Sequence, residues 1–229
     1  MQKLTETDLP FVVRRLPRDV RDLLMSGPFF VAGGFIRETI AGNAVQDVDV
    51  FGPTHGQVLD AANGFAGRRK VPVHKTDNAL TVLCPPRLPV QFITRWTFAE
   101  PGLLVESFDF TVCQAAVWFD RTNATWQSMV ADGFYPDLAA RRLVYTSPTL
   151  EEEAGGSMMR VRKFIARGYN IQALSLGAVI ARVVSKVRAF DSMEEHQRAK
   201  VISGLLLEVD PLLVVDGLEP ISEHETLPA

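Results

Sequence analysis

The chain has 229 residues, 47% of them hydrophobic, and a formal net charge of -3. That is enough apolar material for one sizeable core, or one core with a small helical appendage, and the slightly acidic balance speaks against a protein that coats nucleic acid. No apolar run approaches the roughly 20 residues that cross a bilayer, and the N-terminal MQKLTETDLPFVVRR lacks the charged-then-apolar order of a secretory leader.

In chain order, Leu9 to Met25 reads as a helix, with Leu16, Val20, Leu23 and Leu24 at helical spacing and Pro17 early in the run. Phe29 to Ala32 is an apolar strand. After Gly33-Gly34 a short helix runs from Phe35 to Ile40 and ends at Gly42-Asn43. Val45 to Phe51 is a second strand, and Thr54 to Phe65 a helix. Val71 to His74 is a short strand. Ala79 to Cys84 and Pro89 to Thr94 form a hairpin around Pro85-Pro86-Arg87. Phe108, Phe110 and Val112 alternate as in a strand, which passes into a helix before Phe119. Thr125 to Val130 is a strand, Asp137 to Arg142 a helical turn and Leu143 to Tyr145 a strand. Beyond that the pattern becomes helical: a start at Pro148 to Ala154, then Met158 to Arg167, Leu174 to Phe190 and Glu194 to Leu207, with a polar tail from Asp216. The order gives an α+β head, 1–147, with a small mixed sheet and helices on one side of it, and a helical region, 148–229.

The two cysteines, Cys84 and Cys113, sit in apolar runs and read as buried free thiols in a reducing, cytoplasmic compartment. There is no cysteine pair, and the four histidines are scattered, which argues against a zinc site. His55 and His74 read as surface residues, and Trp96, Trp118 and Trp126 as packing residues.

The chemistry concentrates between Phe29 and Phe51. Residues i and i+2 of a strand share a face, so Asp47 and Asp49 project side by side, with Val48 and Val50 on the other face. Two neighbouring carboxylates repel unless a cation lies between them. Hard oxygen donors suit Mg²⁺, which takes one or two protein carboxylates and completes its shell with water and phosphate oxygens. Gly33-Gly34 lets backbone N–H groups approach phosphate without a Cβ in the way, and Arg37 follows three residues later. Separately, a glycine pair is also an ordinary strand-to-helix turn, and two aspartates also decorate an exposed strand. Together they read as a metal-and-triphosphate site.

This combination resembles the head of the DNA polymerase beta nucleotidyltransferase superfamily, in its branch of CCA-adding tRNA nucleotidyltransferases and bacterial poly(A) polymerases. The likeness runs over the diglycine, Arg37-Glu38 (where the family usually has Arg-Asp), Gly42 and the Asp47/Asp49 pair. A second segment, Ser107 to Trp118, keeps Asp109-Phe110-Thr111, but Ser107 and Phe108 stand in place of two arginines that help hold the nucleotide in that family. In a third, Val90 to Arg95, Gln91 stands where the family places a third carboxylate, and Arg95 remains. Either Asp109 supplies that carboxylate, or the site is catalytically weakened. A fourth, Ser157 to Ile171, is similar to the family's arginine-rich neck helix. It places Arg160, Lys163 and Arg167 on one face, either for phosphate or RNA contact or as a solvated basic face.

The resemblance implies transfer of a nucleoside monophosphate from an NTP, ATP among them, to an acceptor hydroxyl, most simply an RNA 3′ end in RNA processing. Two Mg²⁺ would be held by Asp47, Asp49 and Asp109. Gly33, Gly34 and Arg37 would contact the triphosphate, and Arg95 would offset charge in the transition state. About sixty residues follow Arg167, few for a tRNA-gripping body, so a protein or small-molecule acceptor stays open. The alternative is a module that binds nucleotide without turnover.

Overall fold

The computed structural model describes residues 1–148, 156–185 and 190–209. The chain packs as two units, Met1–Ala140 and Arg141–Ala229.

The first unit begins with helices α1 (Asp8–Arg15) and α2 (Arg18–Ser26). The single helix expected from Leu9 to Met25 is thus two. Pro17 disfavours the helical region for the residue before it, and Leu16 is extended with ψ 135°, so the chain breaks and restarts. Strand β1 (Phe30–Ala32) leads into α3 (Gly34–Ile40), and β2 (Val48–Phe51) into α4 (His55–Arg69). The side chain of Thr54 caps α4 by accepting from the Gln57 amide. Strands β3 (Val73–Lys75), β4 (Ala79–Val82) and β5 (Val90–Ile93) follow, then α5 (Pro101–Glu106), β6 (Ala115–Asp120), β7 (Thr125–Val130) and α6 (Phe134–Ala139).

The seven strands form one mixed sheet in the order β3-β4-β5-β2-β1-β6-β7. The β2–β5 pair is parallel and the other neighbours are antiparallel. Val48 and Val50 on β2 share a face with Val90 and Phe92 on β5, all fully buried. Helix α4 covers this face, with Phe65 and Phe92 rings 5.5 Å apart, edge to face. Asp19 on α2 clamps the end of α4 through Arg69, whose Nε and Nη2 donate to its carboxylate at 2.8 and 3.2 Å. At the sheet's β7 edge, Gln2 pairs with Val130.

Pro101 starts α5, which the sequence reading did not foresee. It lies on the opposite face, since a Cβ on Gly102 would stand 3.9 Å from the Met129 sulfur, and Met129 pairs with Ala116 across from β1. The expected strand through Phe108, Phe110 and Val112 is absent. Residues Thr111–Cys113 form a 3₁₀ turn closed by Cys113 N–H to Phe110 O at 2.8 Å, and the strand begins only at Ala115. Alternation of large residues therefore marked a buried turn, not a pleat.

In the second unit, β8 (Arg142–Leu143) pairs in parallel with β9 (Asn170–Ile171). Leu143, read as a strand before a boundary at 147, thus belongs with the segment that follows it. Among the described residues the unit also holds helices α7 (Gly156–Ala166), α8 (Ala173–Val184) and α9 (Glu195–Val209). Most of the helix start read at Pro148 to Ala154, and the tail from Asp216, lie outside the described residues. The architecture is α+β: a mixed sheet with helices, followed by a helical region.

Candidate functional site

The glycine turn joins β1 to α3. Gly33 has φ +70° and ψ -119°, a conformation that side chains strongly disfavour. Its N–H donates to Ala115 O at 2.9 Å and its carbonyl accepts from the Arg37 amide at 3.2 Å. A Cβ there would also stand 3.2 Å from the Phe108 ring. Gly34 is different: the nearest atom to a Cβ built there is Arg37 Nη2 at 3.6 Å. Its bare backbone therefore leaves room for an incoming group without a steric demand from the protein.

Asp49 sits at the middle of β2, opposite Gln91 of β5. Following the registers across the sheet, His74, Thr81, Gln91 and Asp49 share one face with Ala32, Ala116 and Met129. This row is polar toward β3 and apolar toward β7. Asp47 lies just before β2, and its Oδ2 accepts from Gln91 Nε2 at 3.0 Å. Burial first, and then the charge of Asp47, push the Asp49 carboxyl up to about 7, while the Arg37 guanidinium pulls it down. The two acids thus feel each other strongly, as their spacing implied. A half-buried pair of repelling carboxylates, flanked by an amide, is a donor set that fits a hard divalent cation. Among the described residues, no group of three His, Cys, Asp or Glu side chains converges to hold a metal ion.

Arg37 is buried within the first unit. Its Nε and Nη2 donate to Glu38 Oε1 at 2.9 and 2.7 Å, and Nη1 lies 3.3 Å from the sulfur of Cys113. Glu38 Oε2 in turn accepts from Asn43 Nδ2 at 2.7 Å. The guanidinium is locked in protein contacts one helical turn behind the glycines, and its charge reaches Asp49. Arg95 is exposed beyond β5. It donates to Asn78 Oδ1 at 3.1 Å and lies over the Trp96 ring, 4.7 Å from its centroid. Asp109 is buried on the segment between α5 and the 3₁₀ turn and is not itself part of a strand. The strand it was expected to share, β6, pairs with β1 rather than with β2. In the second unit, Arg160 and Lys163 lie on α7 and Arg167 just past its end; Lys163 and Arg167 are exposed and Arg160 is half-buried.

Residues 7–141 match the family model described as Gad2, Gabija anti-defense 2 family protein. The chain belongs to the Gabija anti-defense 2 family. No curated protein matches it. Among solved structures, this family member is similar to the Thermotoga maritima CCA-adding enzyme complexed with tRNA, at 18% identity and a TM-score of 0.58, over 93% of this chain and 53% of that one. It is similar to a CCA-adding enzyme in complex with ATP, at 18% and 0.56, over 93% and 52%. A tRNA nucleotidyltransferase with a primer tRNA and an incoming ATP analog matches at 16% and 0.53, over 82% and 60%. At these identities the likeness is one of fold, and the chain spans about half the length of the first of these relatives.

Three side chains at the site of this Gabija anti-defense 2 member escaped the sequence reading as site residues. Cys113 contacts Arg37 from 76 residues away, and no local pattern signals that. Asn43 was read as a helix stop, although its spacing of five from Glu38 was visible. Phe108 was read as strand, yet it packs against Gly33.

Proposed function

We propose that the chain is a nucleotidyltransferase that moves a nucleoside monophosphate from an NTP to an acceptor hydroxyl, with release of pyrophosphate, in the anti-defense role of its family. The observation that carries this reading is the electrostatically linked Asp47/Asp49 pair next to the Gly33 turn. Asp47 and Asp49 would hold Mg²⁺, which would neutralise the triphosphate and activate the acceptor oxygen; Asp109, proposed from the family resemblance as a third ligand, does not converge on them in the structure. The bare backbone at Gly34, in the turn that Gly33 sets, would receive the phosphates at close range. Gln91 orients Asp47 by its 3.0 Å hydrogen bond. Glu38 and Cys113 fix Arg37, whose charge favours the ionised form of Asp49, though burial and the charge of Asp47 outweigh it. Arg95, exposed on the adjoining strand end, offsets negative charge on the reacting phosphate.

The fold relatives that hold tRNA support an RNA 3′ end as acceptor; Arg160, Lys163 and Arg167 of the second unit are proposed as basic residues for phosphate contact. A second reading is favoured by the family model: the hydroxyl belongs to a protein of the Gabija defence. The test is pyrophosphate release and label transfer from each of the four NTPs in Mg²⁺, with RNA and with Gabija components as acceptors. Asp47→Ala and Asp49→Ala each lower the rate on the order of a thousandfold or more. NTP binding without turnover on every acceptor reduces the chain to a binding module, as the neutral Gln91 would suit.

A further inference from the structure

Three aromatic rings close one end of the carboxylate face. Phe51 follows Asp49 by two residues and projects to the same side of β2. Its ring meets Phe98 edge-on at 6.2 Å and Phe108 at 6.1 Å. Phe51 and Phe98 are buried, at 7% and 8% exposure, whereas Phe108 is only half-buried. Phe108 is therefore the ring of this cluster that keeps surface to offer. It also lies over the glycine turn, its Cε1 and Cζ 3.2 and 3.4 Å from a Cβ built on Gly33. Its backbone is pinned on both sides, with N–H to Val105 O at 3.4 Å and the carbonyl accepting from Gln114 Nε2 at 3.5 Å.

A phenyl ring has no charge and no hydrogen-bond donor, so it adds nothing to phosphate binding. Its chemistry suits the flat, apolar part of a nucleotide, which lies one ribose away from the phosphates. We infer that Phe108 is the nucleobase platform of the site, the ring on which the base of an NTP stacks when its phosphates lie at Gly33-Gly34. This rests on the transferase reading above. Every base has a π-face, and a ring reads no hydrogen-bonding edge, so stacking here accepts purines and pyrimidines alike. The site is thus built for broad nucleotide use.

The experiment measures binding of ATP, UTP and inorganic tripolyphosphate, in Mg²⁺, to the full chain and to Phe108→Leu and Phe108→Trp. Leucine keeps an apolar side chain against Gly33 and Phe51 but removes the stacking ring; a thermal melt of each variant reports its fold. The expected result is a loss of about tenfold or more for both nucleotides in Phe108→Leu, unchanged tripolyphosphate affinity, and nucleotide binding restored in Phe108→Trp. Equal nucleotide affinity in Phe108→Leu overturns the inference alone. So does tighter binding of all three ligands, which would make the ring a plug over the glycine turn, or a loss shared by tripolyphosphate. Failure of Phe108→Trp to bind better than Phe108→Leu also overturns it. A wild-type chain that binds neither NTP nor tripolyphosphate overturns the transferase reading as well.

Discussion

On β2, Val48 and Val50 point into the apolar layer beneath α4, while Asp49 and Phe51 point to the other side of the sheet. One face holds stability: large rings and β-branched side chains, all closed to water. The other spends some of that stability on two acids that repel each other and on a polar row left open toward β3. A four-residue strand therefore serves both purposes only because its neighbours, Phe92 on one side and Gln91 on the other, alternate in step with it. The site stands on the reverse side of a fully buried core.

The first way to break this division is Phe92→Ala. Removing a fully buried ring that packs on Phe65 costs about 3–5 kcal/mol of unfolding free energy, read from urea denaturation. A loss of less than about 1 kcal/mol would mean that the face under α4 is not the core.

The second sharpens the comparison from the other face. The Asp49 carboxyl titrates at about 7 in the folded chain, against an ordinary value of 3.8. A raised folded value gives a contribution that is complete below 3.8 and lost as pH rises through about 7. In chelator, the wild-type chain should therefore lose stability between pH 5 and 8. Asp49→Asn, neutral throughout, should lose less over that range and exceed wild type at pH 8 by on the order of 2 kcal/mol, while losing the proposed transferase activity. Parallel pH profiles for the two proteins would show that the acid pair is not strained.

The smallest effect tests the helix that covers the core. Thr54→Ala removes the side chain that caps α4 and should cost about 1 kcal/mol, with nucleotide binding unchanged. An equal cost to binding would tie α4 to the site directly.

The alternation Val48-Asp49-Val50 and the glycine pair were legible in the sequence because each is local: period two for a strand, and a φ that favours glycine. The parallel partnership of β2 with the hairpin strand carrying Gln91 was not legible, since no single run of residues encodes it; the family resemblance placed Gln91 only where a third carboxylate is expected. Phe108 and Phe110 misled because alternating large residues also line a packed turn, with Phe110 fully buried and Phe108 half-buried. The break at Leu16-Pro17 was signalled by the proline, but helical spacing of the leucines continued across it and disguised the restart. Arg37 read as a phosphate contact from its distance to the glycines; that Glu38 and Cys113 engage it depends on packing between α3 and the turn before β6, which sequence spacing does not carry.

The hydrogen bond from Gln91 to Asp47 joins residues 44 positions apart, and their strands run in the same direction. Between them the chain must complete a helix and two further strands before it can return. No isolated hairpin can bring these partners together, so loop-closure entropy is spent before the pairing repays it. The Asp47–Gln91 end of the sheet therefore cannot close until the chain has reached β5.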